Sequence, residues 1–499
     1  MKILLIDPPF YRFMGMENRY FPIGLGYIAA SLQSQGHEVK IYSVDTSSRV
    51  NPPAYNRMRE YYQRYKTLVN DSSHPVWQEI LTVLKNFQPH IVGITAMTPK
   101  MASVLKTATL CKVYKDHIRI IIGGPHATIK PDELLQYRDI DYVIRGEGEI
   151  SILDLLQALE KKDSKMLEQV SGLSYRKNGI FFHNPLGEVW RNIDTLPFPS
   201  RGLLLHPENF LPEDLAIIMT SRGCPFGCTF CYKEMFGKKI RYRSIDNVLK
   251  EMKYVIKKYN AKQFAFKDDS FTINNNRVIE FCDKLHAQGI RINWECTTRV
   301  DLIDEDLLKK MMSAGCNMIK VGVESGSEKI LQSINKGFSL EKVKSAAQLF
   351  NRSGISWTAF FMVGLPDETE EDIFKTLKFM KEIKPIYASI GVYEAYPGTE
   401  LFELGIELGL VNPSMSPHQY LERSPDEYYF QDPKRRVNTM EPERFEKLCG
   451  ELLAEFDRYN KGLKRLLKMG LARRKMYFTE PKSFMRDLQR GLKWIGLGK

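Results

Sequence analysis

No apolar run in this sequence reaches the roughly 20 residues that a membrane-spanning helix needs, so a helical membrane span is excluded. The opening "MKILLIDPPF" lacks the marks of a secretory signal: its apolar run is short, breaks at Asp7-Pro8-Pro9, and is followed by no small-residue cleavage site. A cytoplasmic location is expected, where thiols stay reduced. Paired cysteines are also scarce. Of eight, only Cys224, Cys228 and Cys231 are neighbours, while Cys111, Cys282, Cys296, Cys316 and Cys449 stand alone. A structural zinc site built on two CxxC pairs therefore lacks its second pair.

Excess positive charge is missing from most of the chain. The net charge is +12, yet Arg458 to Lys499 holds 13 Lys plus Arg against Glu480 and Asp487, a net of +11. The body is close to neutral, and no basic patch interleaved with aromatics appears outside the tail, so no nucleic-acid partner is expected.

What is present is a repeated strand-helix pattern on a chain of 499 residues, long enough for two or three domains. The runs "KILLID", "EVKIYSVD", "IVGITAM", "RIIIGGPH" and "DYVIRGEGE" alternate with amphipathic stretches over residues 1–160. Apolar strands separated by helices predict a parallel sheet covered on both faces, a doubly wound, flavodoxin-like α/β domain. Residues 161–214 read as a linker with one β-hairpin turning at Asn178-Gly179, followed by Pro197, Pro199 and Pro212. A second series begins at Leu215 with "LAIIMTS", "QFAFKDD", "INWECTT", "MIKVGVES", "WTAFFMVGLP" and "YASIGVYEAYP". Six such units over 215–405 predict a partial (β/α)6 barrel whose function gathers at the C-terminal strand ends. Residues 406–499 read as a helical, basic extension.

The three cysteines fall in "SRGCPFGCTFCYKEMFGKK", just after the first barrel strand. Thiolates four and three positions apart, punctuated by Pro225 and Gly227, can converge on one centre, and soft ligands select iron-sulfur or zinc. Three protein ligands leave one metal position open. In a [4Fe-4S] cluster that is an iron free to bind a substrate.

A CxxxCxxC loop after the first strand of a βα barrel, with Phe230 before the last cysteine, resembles the radical S-adenosylmethionine superfamily over Leu215 to about Gly405. The resemblance implies that Cys224, Cys228 and Cys231 hold a [4Fe-4S] cluster. S-adenosylmethionine would chelate the fourth iron and, on one-electron reduction, be cleaved to methionine and a 5′-deoxyadenosyl radical. It implies contacts to S-adenosylmethionine from Phe230, Asp268, Asp269, Arg299, Glu324, Ser325 and Gly364. A flavodoxin- or ferredoxin-type reductant is then expected. Arg299 has a second reading, an ion pair with Glu324 or Asp301, and Gly364 has one as a simple chain turn.

The front domain is similar to that of the cobalamin-dependent members, through "DPPF", "FPIGLGYIAASLQSQGHEV", "GITAMTP", "GGPHAT" and "IRGEGE". Thr95, Gly123, Gly124, Gly146, Glu147 and Gly148 are the implied cobalamin contacts, at the carboxyl edge where an open α/β sheet binds ligands. The DxHxxG signature is absent, which implies cobalt without a lower histidine, and His126 is read as a surface or hydrogen-bonding residue rather than a substitute.

Two reaction types follow from the resemblance: methylation of an unactivated carbon on an apolar, tetrapyrrole- or lipid-like small molecule, or oxidation without methyl transfer as in the anaerobic magnesium-protoporphyrin monomethyl ester cyclases. A relic domain without cobalamin is a further alternative. A tRNA methylthiotransferase is disfavoured because only Cys111 precedes Cys224, and a non-catalytic scaffold because the cysteine triad is intact. For the tail, with Leu466, Leu467, Leu471, Phe484, Leu488, Leu492 and Trp494 at near-helical spacing, two readings stand: packing on the barrel, or peripheral contact with the inner face of an anionic membrane.

Overall fold

The computed structural model describes residues 1–16, 20–46, 54–187, 189–462 and, in the tail, 465, 467, 470, 471, 477 and 481–494. The first sheet takes β1 (Lys2–Asp7), β2 (Glu38–Ser43), β3 (Ile91–Thr95), β4 (Arg119–Gly123) and β5 (Tyr142–Ile144) in the parallel order β2-β1-β3-β4-β5. That is the flavodoxin-like winding, with its switch point between β1 and β3. Ile3, Leu4, Leu5, Ile6, Val92 and Ile94 are buried, as strands covered by helices on both faces require.

The hairpin of the 161–214 segment does not hang free as linker. Asn178 and Gly179 both take positive φ, 54° and 80°, the turn that suits two right-twisted strands. Its strands, β6 (Leu173–Lys177) and β7 (Ile180–His183), extend the first sheet antiparallel from β5.

The second sheet runs β8 (Ile217–Ile218), β11 (Gln263–Phe266), β12 (Asn293–Thr298), β13 (Cys316–Glu324), β14 (Ser356–Val363) and β15 (Tyr387–Val392), all parallel and neighbouring in chain order. Between β8 and β11 a short antiparallel pair, β9 (Ser221–Arg222) and β10 (Arg241–Tyr242), brackets the cysteine loop. This is the expected partial barrel.

The first half of the extension is integral to both halves. Tyr420, Tyr428, Tyr429 and Phe430 share a buried core with Phe10, Val104 and Leu105 of the front domain. Helix Pro442–Asn460 packs Phe445, Leu448, Leu452 and Phe456 into the barrel core. At its end the Asn460 side chain donates to the Ala388 carbonyl at 2.7 Å and accepts from the Ala388 amide at 2.9 Å. The open edge of β15 is thereby covered, which an exposed edge strand requires. Among the described residues no helix is long and apolar enough to cross a membrane.

Candidate active site

The loop after β8 is fixed before its first cysteine. Asp268, just past β11, accepts hydrogen bonds from the Thr220 amide (3.0 Å), the Thr220 hydroxyl (2.8 Å) and the Ser221 hydroxyl (2.5 Å). Gly223 then turns at φ +100°, where a Cβ would stand 2.6 Å from the Lys239 carbonyl, so only glycine fits there. Cys224, Cys228 and Cys231 follow and line one cavity of about 240 Å³ with Phe226, Phe230, Asp269, Thr297, Arg299, Glu324 and Lys336.

Among the described residues no three His, Cys, Asp or Glu side chains are grouped so as to hold a single metal ion. A cluster asks for something else, three thiolates spread over separate irons around a common void, and the cavity supplies that. Burial and the other two thiols push Cys231 up to about 11, and burial likewise raises Cys224. Metal binding must therefore displace protons.

The polar wall comes from later strand ends. The β13–β14 register shifts between Gly322 and Glu324, and Glu324 takes φ +69°, a bulge that re-aims its side chain into the cavity. There it meets Lys336 Nζ at 2.7 Å. Lys336 was not singled out from the sequence; its one signal is a lone lysine before Gly337 in "INKGF". The Arg299 guanidinium is tied to Asp301 at 2.9 and 3.0 Å, stacks 3.9 Å from the Phe226 ring, and lies 4.0 Å from Cys228 Sγ. Of its alternatives the ion pair with Asp301 is the one formed. Lys336 Nζ stands 5.5 Å from the Phe230 ring.

Three expected contacts lie away from the cavity. Asp268 is buried under the loop it anchors. Ser325 is buried against the Thr376 hydroxyl at 3.1 Å. A Cβ on Gly364 would meet Phe445, so this glycine faces the C-terminal helix.

At the carboxyl edge of the first sheet, the β1/β3 crevice is filled by Lys100, paired with Asp7 (2.7 Å) and Asp45 (3.1 Å). Thr95, Gly123, Gly124 and Gly146 remain partly exposed beside it. A Cβ on Gly123 would meet nothing closer than 3.9 Å, so the backbone there is open to a bulky ligand. Gly148 packs toward Ile28, and Glu147 is engaged with Arg241 and Arg222. His126 is fully buried between Thr98 (3.1 Å) and Tyr420 (3.3 Å), and burial pushes it down to about 3. It cannot serve as a cobalt ligand in this arrangement.

This edge abuts the cysteine loop. The Thr128 hydroxyl lies 3.5 Å from Met235 Sδ and accepts from the Gly146 amide at 3.0 Å. Family comparison agrees with both halves: residues 218–380 match the model for the radical SAM superfamily and residues 16–156 that for the B12 binding domain. An uncharacterized methyltransferase of Pyrococcus horikoshii is 33% identical over 82% of this chain and 84% of its own length. The chain belongs to the cobalamin-binding radical S-adenosylmethionine enzymes. The anaerobic magnesium-protoporphyrin IX monomethyl ester cyclase of Rubrivivax gelatinosus is 30% identical over 82% of this chain and 70% of its own. The fold matches that of a radical S-adenosylmethionine methyltransferase from Kitasatospora setae, solved with cobalamin and a [4Fe-4S] cluster bound, at TM-score 0.65 and 17% identity over 91% and 88% of the two chains. The cofactors of this family are the cluster, S-adenosylmethionine and cobalamin.

Proposed function

We propose that this enzyme methylates an unactivated carbon of a small amphiphilic molecule, apolar in most of its body as lipids and tetrapyrroles are. The observation that carries the reading is the contact between the two halves: the open edge at Thr95, Gly123 and Gly146 meets the cysteine loop through Thr128 and Met235. Two cofactors held on either side of that contact act on one substrate. When bound, the cluster cleaves S-adenosylmethionine by one electron and cobalamin carries the methyl group.

The side chains divide the remaining work. Cys224, Cys228 and Cys231 hold the cluster. Glu324 and Lys336 offer an anion and a cation at one wall, matched to the ammonium and carboxylate of a methionine moiety. Arg299, between Phe226 and Phe338, keeps a positive charge beside Cys228. Cys231 is exposed, with Lys233, Lys238 and Lys239 near it in sequence, which suits the approach of an acidic one-electron carrier.

The tail supports the substrate class. Helix Pro481–Trp494 exposes Phe484, Met485, Leu488 and Leu492, and Leu467 and Leu471 are exposed too; Leu466 lies outside the described residues. The same stretch of sequence carries Lys482, Arg486, Arg490 and Lys493. A cationic amphipathic helix of this kind lies on an anionic lipid surface. Methyl transfer is preferred to oxidative cyclisation on the methyltransferase relative, which is matched over more of its length than the cyclase. The test is incubation of the reconstituted enzyme with methyl-labelled S-adenosylmethionine, a reductant and cell extract. Label in an organic-soluble product supports methylation; an oxidised, unlabelled product supports the cyclase reading.

A further inference from the structure

Below the cavity, the barrel lumen carries a charged layer that none of the cofactor contacts uses. Strand alternation sends Phe264, Phe266, Trp294, Cys296, Ile319 and Val321 outward into the helix-packed core. The intervening residues face the lumen, and the register sets them side by side: Ala265 beside Glu295, Thr297 beside Lys320, Lys320 beside Thr358. One step higher on the same face, Gly322 and Phe360 pair, and both line the cavity, as Thr297 does.

Among the described residues, Lys267 and Lys320 bring two cations to this layer. Lys320 Nζ pairs with Glu295 Oε1 at 2.6 Å. Lys267, the residue after β11, extends its ammonium to 4.5 Å from the Tyr20 ring. Among the described residues it meets no hydrogen-bond acceptor, although it is exposed to solvent. Phe266 pairs with Cys296 and Cys296 with Ile319, so one residue further on Lys267, Thr297 and Lys320 stand abreast on the lumen face; desolvation and the Lys320 charge pull Lys267 down. Lys320 already has Glu295, so an anion beside Lys267 would offset the repulsion that the Lys320 charge leaves on it.

We propose that Lys267 and Lys320, with the Thr297 hydroxyl between them, bind an anionic oxyacid group of the substrate, a phosphate, phosphonate or carboxylate. The inference rests on the reading that the cavity above takes the cluster and S-adenosylmethionine. The anionic end then sits in the lumen while the apolar body rises past Phe360 toward the reacting centre. Charge-assisted hydrogen bonds from two ammoniums would set its register.

Calorimetric titration of the cluster-loaded full chain tests this, with methylphosphonate and acetate as probes and neutral dimethyl methylphosphonate as control. Either anion should bind, the neutral ester should not, and whichever anion binds tighter distinguishes a phosphorus oxyacid from a carboxylate. Lys267→Met, and the pair Lys320→Met with Glu295→Gln, should each weaken binding about ten-fold or more. Lys267→Arg, which keeps the charge, should restore it, and Lys284→Met on an outer helix should bind as the wild type does. Saturating S-adenosylmethionine should leave the anion bound. Absence of anion binding, equal binding by Lys267→Met, or displacement by S-adenosylmethionine would overturn the site. Iron and sulfide measured on the same sample report the cavity reading separately.

Discussion

Glu147 and Arg241 form a two-point ion pair across the junction of the two halves, with N–O distances of 2.5 and 3.0 Å. The same carboxylate reaches Arg222 at 3.2 Å, and Glu149 takes the other side of Arg222 at 2.5 Å. Arg222 and Arg241 are the two strand residues that bracket the cysteine loop. The carboxyl edge of the first sheet thus grips the loop at both ends.

Breaking that grip should be costly. All three side chains of the Glu147, Arg222 and Arg241 group are nearly inaccessible, and removing one partner strands a buried charge, typically at about 3–5 kcal/mol. Glu147→Gln should lower the urea midpoint of the full chain and cut iron retention after anaerobic desalting. A midpoint equal to wild type would mean that the clamp contributes nothing.

His126 should prove irrelevant to cobalt. The electron paramagnetic resonance spectrum of cob(II)alamin bound to the protein should lack nitrogen splitting, and His126→Ala should leave that spectrum unchanged. The same variant should lose about 1–3 kcal/mol of stability, because the Thr98 and Tyr420 hydroxyls lose a buried partner. Nitrogen splitting that disappears in the variant would reverse this assignment.

Glu368 carries a pH signature. Burial pushes its carboxyl up to about 8, against the Gly364 and Leu365 amides that donate to it. The folded chain therefore keeps a proton that the unfolded chain releases above about pH 4.3. Stability from this group is full below the unfolded pKa and falls as pH rises toward 8, by up to about 1.4 kcal/mol per pH unit. Urea melts at pH 5, 6.5 and 8 should show wild type losing ground to Glu368→Gln; parallel curves would contradict it.

The tail makes a membrane prediction. The 499-residue chain should float with anionic vesicles at low salt, and less at high salt, since screening weakens exposed charge. A chain ending after Lys461 should not float. Equal flotation of both chains would assign the exposed Phe484, Leu488 and Leu492 stripe to another partner.

Elements fixed by local chemistry are legible in the sequence. Each parallel strand reads as a short apolar run, and the cysteine spacing marks the loop proposed to hold the cluster. Features that depend on a distant partner are not. Asn178-Gly179 predicts a hairpin but not that its strands continue the first sheet, since pairing is a tertiary choice. Glu147 sits in a glycine-rich edge motif that suggests ligand contact, whereas its partner Arg241 lies 94 residues away. Lys336 becomes visible only once the bulge at Glu324 turns a carboxylate toward it. Gly364 and Ser325 occupy the right strand ends but face the helices, because alternation and a positive φ decide direction there rather than position in the chain.

The central claim is that Cys224, Cys228 and Cys231 hold the cluster that cleaves S-adenosylmethionine, and one assay addresses it. Anaerobically reconstituted wild type should carry about four irons and four sulfides and, with a low-potential reductant, release 5′-deoxyadenosine from S-adenosylmethionine. Alanine at any of the three positions should abolish both, while Cys282→Ala and Cys316→Ala retain them. Stoichiometric zinc without iron, or 5′-deoxyadenosine formed equally by Cys228→Ala, would contradict the account.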